Sequence, residues 1–260
     1  KEIIESELKE QILDDGGHFE LSPMYHQIIL DRLLDCINLI QNNEIFDDQK
    51  ILESLLEEKI NLMLVWINKI TFSNGKIPLL NDSAPTIAPN TKQINEYASS
   101  LNIPPKVSNS RLSSSGYRRY DGENYECIID IGEIGPSYQP GHAHADTFNF
   151  VLNINNNPFL IDVGISTYDD NNTRQFERKT EAHNTVTVSG KNSSDIWSSF
   201  RVAKRAKVNI ISETKNKVIA QHNGYRDIGV IHQREWKFEE DRIHIIDSLN
   251  QIVYEGKAHM

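Results

Sequence analysis

The apolar residues of this 260-residue chain change their spacing once, and that change limits the fold more than any other feature. Up to about residue 101 they recur at helical spacing, and from Gly116 onward they alternate, so helices must give way to antiparallel strands. In 23–41, Ile29, Leu33, Cys36 and Ile40 share a face with Leu30, Leu34 and Ile37 beside them. Ser22 suits the N-cap of that helix and Pro23 its first position. A second helix is expected from Asp48 to Ile70, with an apolar stripe broad enough to need neighbours on more than one side. Pro78, Pro85 and Pro89 interrupt the pattern before a short helix over 91–101. Strands are expected at 124–131, 147–154, 158–163, 184–188, 208–212, 217–222, 230–238 and 242–249, and the Pro-, Ser- and Asn-rich stretch 102–115 reads as a linker. The fold class is therefore multidomain α + β: a helical region over 1–101 and an antiparallel β-sandwich over 116–260.

Charge narrows the partners. Residues 1–60 carry 5 Lys/Arg against 15 Asp/Glu, which accounts for the net −10, whereas 174–207 carry 8 against 3. A local cationic excess in an acidic protein suits a bound polyanion, although a solvated surface gives the same count. No nucleic-acid motif accompanies it, so nucleic acid is disfavoured. No run is long and apolar enough for a membrane span. Cys36 and Cys127 lack CxxC or zinc-ligand spacing, and no disulfide framework is expected. The chain opens inside a charged helical pattern without a leader, and its natural N-terminus is expected further upstream.

Two segments concentrate chemistry. In PGHAHADTFNF, residues 140–150, a strand extended backwards from Thr147 puts His142, His144 and Asp146 on one inward face, where two imidazoles and a carboxylate need partners. Asp162 in PFLIDVG and His183 in EAHNTVTV can supply them, and a His-x-His pair with an Asp and a further His from other strands suits a Zn²⁺ site with N, N and O ligands. From spacing alone, a metal site and hydrogen-bonded core histidines both stay open. In HFELSPMYH, residues 18–26, Tyr25 falls at the third helical position, where free backbone N–H groups favour a developing negative charge. Packing against the next helix is the plain alternative.

ELSPMYH, QPGHAHADTFNFVLNINNNPFLIDVG and RQFERKTEAHNTVTVSGKNSSDIW, in that order over about 16–205, resemble the signatures of the heparinase II/III-like family of polysaccharide lyases. The resemblance implies the last helices of an (α/α) toroid, its first part lying outside this chain, followed by the sandwich. It implies Tyr25 and His142 as catalytic residues and His144, Asp162 and His183 as ligands of a zinc with a structural or orienting role. It further implies an acidic polysaccharide as partner, cleavage by β-elimination, and a periplasmic or extracellular setting. Arg174 and Arg178 are candidates to face the polymer's carboxylates or sulfates, with loop packing as their alternative. Glu20 and His26 flank Tyr25 as candidate cleft residues, or cap the helix. Rival functions are a non-catalytic glycan-binding or biosynthetic accessory protein, and hydrolysis by Glu20 and Asp162 as a carboxylate pair. The glycan itself, whether heparan-like, alginate-like or a bacterial capsule or O-chain polymer, is not readable.

Overall fold

The computed structural model describes residues 2–44, 47–106 and 111–260. Four helices come first: α1 (Glu2–Gln11), α2 (Pro23–Gln41), α3 (Gln49–Ile70) and α4 (Thr91–Ser100). The start of α2 follows from its cap: Ser22 is extended, its hydroxyl accepts the Tyr25 N–H, and Pro23 opens the helix. The broad stripe on α3 is satisfied on several sides, with Ile60, Met63, Leu64, Trp66, Ile67 and Ile70 all buried.

The strands are β1 (Tyr117–Asp121), β2 (Tyr125–Asp130), β3 (Phe150–Ile154), β4 (Asn157–Leu160), β5 (Val186–Val188), β6 (Asp195–Trp197), β7 (Arg201–Ala203), β8 (Val208–Glu213), β9 (Lys217–His222), β10 (His232–Phe238), β11 (Ile243–Leu249) and β12 (Gly256–Ala258). A fifth helix, α5 (Asn172–Glu177), lies between β4 and β5. All strand pairs are antiparallel, in two four-stranded sheets ordered β1-β2-β3-β4 and β11-β10-β9-β8, with two small ribbons, β12-β5 and β6-β7.

The first sheet is buried on both faces at its centre, along β2. Every residue of β2 is buried, because alternate side chains go to opposite cores. Ile128 and Val151 join Tyr117 in the helical core, whereas Cys127, Ile129 and Phe150 pack against Val218, Ala220 and Trp236 of the second sheet. Polar contacts fasten the helical layer to the sandwich: Asp15 accepts the Ser115 N–H at 2.8 Å and hydroxyl at 2.7 Å, and the Trp66 indole donates to that hydroxyl at 3.0 Å. Residues 107–110 of the expected linker lie outside the described residues.

One expected element differs in a way that matters for the site. The strand read from Thr147 begins only at Phe150, and 142–149 run as an irregular loop. Phe148 adopts a left-handed φ of 70°, and a turn closes from the Asn149 N–H to the Asp146 carbonyl at 2.8 Å. The likeness of HAHADTFNF to a strand stems from alternating apolar residues, but the polar ones need partners at several depths, which a flat ladder does not offer. Asp162 follows β4, and His183 ends a 3-10 turn over 180–182 before β5, so the three expected ligands stand on loops and not on strands.

Candidate active site and metal centre

Asn81, Asp82 and Ser83 rivet the helical layer to the histidine loop. The Asn81 amide donates to the Leu21 carbonyl at 3.0 Å and its oxygen accepts the His144 N–H at 3.1 Å. The Ser22 hydroxyl donates to the Asp82 carbonyl at 2.9 Å, and the Asp82 N–H donates to the His142 carbonyl at 3.1 Å. These bonds bring the N-terminus of α2 to the loop after Pro140. The Tyr25 and His142 rings lie 4.1 Å apart between centroids, tilted by 31°.

Asp82 is the hub, and the sequence reading did not single it out. Its carboxylate is buried and meets His142 Nδ1 at 2.9 Å, His144 Nε2 at 2.8 Å and the Arg174 guanidinium through both terminal nitrogens, one at 2.7 Å. Burial alone raises such a carboxyl, yet hydrogen bonds from His142, His144 and Arg174 hold it far below the usual carboxylate range. An ionised Asp82 accepts from His142 Nδ1–H, which assigns that tautomer and leaves Nε2 to the cleft. On that side Glu20 Oε2 lies 3.9 Å from Nε2. Burial lifts the Glu20 carboxyl above its ordinary value, against the pull of His142 and with the help of Asp82.

Aromatic rings wall the same space. Tyr25 and Tyr168 share a hydroxyl–hydroxyl hydrogen bond of 2.7 Å, and Tyr168 stacks on Phe200 with centroids 5.6 Å apart. Beside His142 opens a groove of about 480 Å³ lined by Glu20, Tyr138, Phe200, Arg201 and Arg205. A larger hollow of about 680 Å³ lies elsewhere, around Arg111, Arg118 and Arg119. There Arg118 is engaged by Glu213 and Arg119 by Glu126, so its size does not mark chemistry.

The expected substrate-contacting residues divide. Glu20 lies in the groove, one-fifth exposed. His26, expected in the cleft, is instead fully buried: it stacks on Trp66 at 4.4 Å, accepts the His18 N–H at Nδ1 and contacts the Met63 carbonyl through Nε2 at 3.0 Å. Arg174 and Arg178 are also fully buried, the first on Asp82 and the Ser199 carbonyl, the second on the carbonyls of Ala143, Ser198 and Arg201. Their forks hold loops, and neither guanidinium reaches the surface. The carboxylate pair needed for hydrolysis does not form: Asp162 is buried on His183 and the Gly164 N–H, away from the groove that holds Glu20.

His144, Asp162 and His183 form a second, deeper cluster, with ligand atoms from all three within 4.8 Å of one another. His183 Nδ1 meets Asp162 Oδ2 at 2.8 Å. Burial lowers the His183 imidazole, but Asp162 and Asp146 outweigh it and its pKa ends above the usual value. Buried His144 Nδ1, His183 Nε2 and Asp146 Oδ2 have no hydrogen-bond partner. Unsatisfied ring nitrogens beside a carboxylate, all sealed from water, are the donor set a zinc ion takes, so the residues fit the group.

Residues 104–252 match the family model described as heparinase II/III-like, C-terminal, and residues 1–108 match that of the heparinase II/III N-terminus. The chain belongs to the heparinase II/III-like family. Among known proteins it is similar to a heparin-sulfate lyase of Pedobacter heparinus, 24% identical over 213 residues that make up 73% of this chain and 31% of the relative. A heparinase III structure superposes with a TM-score of 0.74 at 18% identity, covering 95% of this chain and 40% of the other. A heparan sulfate lyase structure from Pedobacter heparinus gives 0.67 at 21% identity, with 95% and 40% covered. These structural likenesses establish the fold: helices of the toroid type followed by the antiparallel sandwich. The chain spans well under half the length of these relatives.

Proposed function

We propose that this protein acts as a polysaccharide lyase on a glycan containing uronic acid, with Tyr25 and His142 as its proton-transferring groups. One observation carries the reading: a phenol at the head of a helix and an imidazole on a sandwich loop, 117 residues apart in sequence, lie ring against ring beside an open groove.

Elimination requires a base to remove the proton at C5 of the uronate, an acid to protonate the leaving O4, and neutralisation of the carboxylate next to C5. The C5–H electron pair becomes the C4–C5 double bond as the C4–O4 bond breaks, and its pair leaves with O4. His142 Nε2, turned to the cleft by the Asp82 contact at Nδ1, suits proton removal. Tyr25, hydrogen-bonded to Tyr168, suits protonation of O4, or both transfers when the two departing groups share a face. With Arg174 and Arg178 enclosed, we assign carboxylate or sulfate contacts to Arg201, exposed on the groove wall. Glu20, lifted by burial, tolerates an anionic neighbour better than an ordinary carboxylate does. His144, Asp162 and His183 would hold a zinc ion, whose charge would cross-link three loops. No helix among the described residues is long and apolar enough to cross a membrane. We place the protein in the periplasm or outside the cell, where acidic glycans are met.

The test is incubation with heparan-like, alginate-like and bacterial capsular or O-chain acidic glycans in heavy-oxygen water. The reading predicts ultraviolet-absorbing unsaturated products without the label for at least one polymer. Saturated, labelled products would instead mean hydrolysis. Tight binding without cleavage of any polymer would leave a glycan-binding accessory role.

A further inference from the structure

The inner face of the second sheet is apolar at one end and polar at the other. On β10 the inward residues run His232, Arg234, Trp236, Phe238, and all four are buried. Arg234 stands opposite Asp247 of β11, and His232 opposite His222 of β9. Three polar residues in a sandwich core are costly unless every donor and acceptor is met.

Here the partners form a single file. His222 Nδ1 accepts the Gly224 N–H at 3.1 Å, so its Nε2–H points to His232 Nδ1 at 2.9 Å. His232 Nε2–H is then left to donate to Asp247 Oδ1 at 2.7 Å. Burial keeps both imidazoles below their ordinary pKa; it raises Asp247, but hydrogen bonds from His232 and Arg234 outweigh it and hold that carboxyl down to about 2. The fork of Arg234 grips both oxygens of Asp247, at 2.7 and 2.9 Å.

The remaining arm of that guanidinium reaches out of the sheet. Arg234 Nη1 donates to the carbonyls of Phe148 and Asn184, both at 2.8 Å. Phe148 closes the loop that carries His144, and Asn184 follows His183. Phe148 holds a φ of 70°, a conformation a bulky residue keeps only where its surroundings impose it. Its ring is seized edge-on by His222, His232 and Trp236 at 4.8, 5.5 and 5.4 Å. Asn149, the next residue, contacts Asp162 and accepts the Asn184 N–H at 3.0 Å. One buried arginine thus joins the loops that bear two of the three expected metal ligands, and Asn149, next to Phe148, ties in the third.

We propose that Arg234, set by Asp247, His232 and His222, is a positioning residue that fixes the two loops carrying His144 and His183 in the spacing a divalent metal requires. The metal part of this inference rests on the zinc reading above, and the loop-fixing part does not. A lysine keeps the charge opposite Asp247 but cannot span two carbonyls and a carboxylate at once.

The experiment compares the full chain with Arg234→Lys, using zinc chloride titration and backbone hydrogen exchange on metal-free protein. The variant should bind zinc about 10- to 100-fold more weakly, with faster exchange confined to 142–149 and 181–186. If the unaltered protein takes no zinc but exchange rises in those two loops, the loop-fixing role stands and the zinc reading falls. Unchanged zinc affinity and unchanged exchange in a folded variant would overturn the proposal, as would faster exchange spread evenly over the second sheet. If Arg234→Lys does not fold, Asp247→Asn, which loosens the fork while keeping its shape, is judged by the same two readouts.

Discussion

At the residue scale, Asp82 shows how one buried carboxylate can hold several side chains in place at once. It holds His142, His144 and Arg174 together, and its neighbours Asn81 and Ser83 hold the start of α2. Replacement by Asn keeps the volume but strands the buried guanidinium of Arg174, so Asp82→Asn should lose about 3–5 kcal/mol in urea denaturation. A loss under about 1 kcal/mol would mean that Arg174 finds another counter-charge. The sequence made Tyr25, His142, His144, Asp162 and His183 visible because each stands in a dense, ordered segment. Asp82 gave no such signal: it lies in a proline-broken stretch with no period, between Asn81 and Ser83. For Arg174 and Arg178 the sequence left polymer contact and loop packing both open, for the opposite reason. A cation-rich segment reads as surface, and only the tertiary fold shows that two of its guanidiniums are enclosed by backbone carbonyls and Asp82.

Among the elements, α2 and α3 were legible almost to the residue, since caps and apolar stripes are local signals. The ribbons β6-β7 and β12-β5 were not fully legible, because three-residue strands show no measurable alternation. His26 links the two long helices through its stack on Trp66 and its contact with the Met63 carbonyl. Burial, aided by repulsion from His18, pushes its pKa down to about 3 from an ordinary 6.5. The folded chain therefore refuses a proton that the unfolded chain accepts below 6.5, and stability is lost as pH falls from there towards 3. His26→Gln removes that penalty. Between pH 6 and 4 its unfolding free energy should fall less steeply than that of the unaltered protein, by about one proton or ~1.4 kcal/mol per pH unit. Parallel slopes in denaturation series at several pH values would contradict a neutral His26 in the α2–α3 contact.

On the scale of the whole molecule, the first sheet serves two cores at once. Ile128 and Val151 bind it to the helices, Ile129 and Phe150 to the second sheet, so a helix end and a sandwich loop keep a fixed relation across the junction. The change of spacing along the chain predicted both halves, whereas their relative placement depends on long-range packing that no local pattern encodes. The functional account needs that placement: Tyr25 and His142 must act on the same sugar. The direct measurement is turnover of the preferred acidic glycan by Tyr25→Phe, His142→Gln and the double variant. Each single change should lower turnover by about 10²–10⁴, and the double variant should fall little below the worse single one, because groups serving one elimination do not contribute independently. Full turnover by either single variant, or losses that simply multiply, would contradict a shared site.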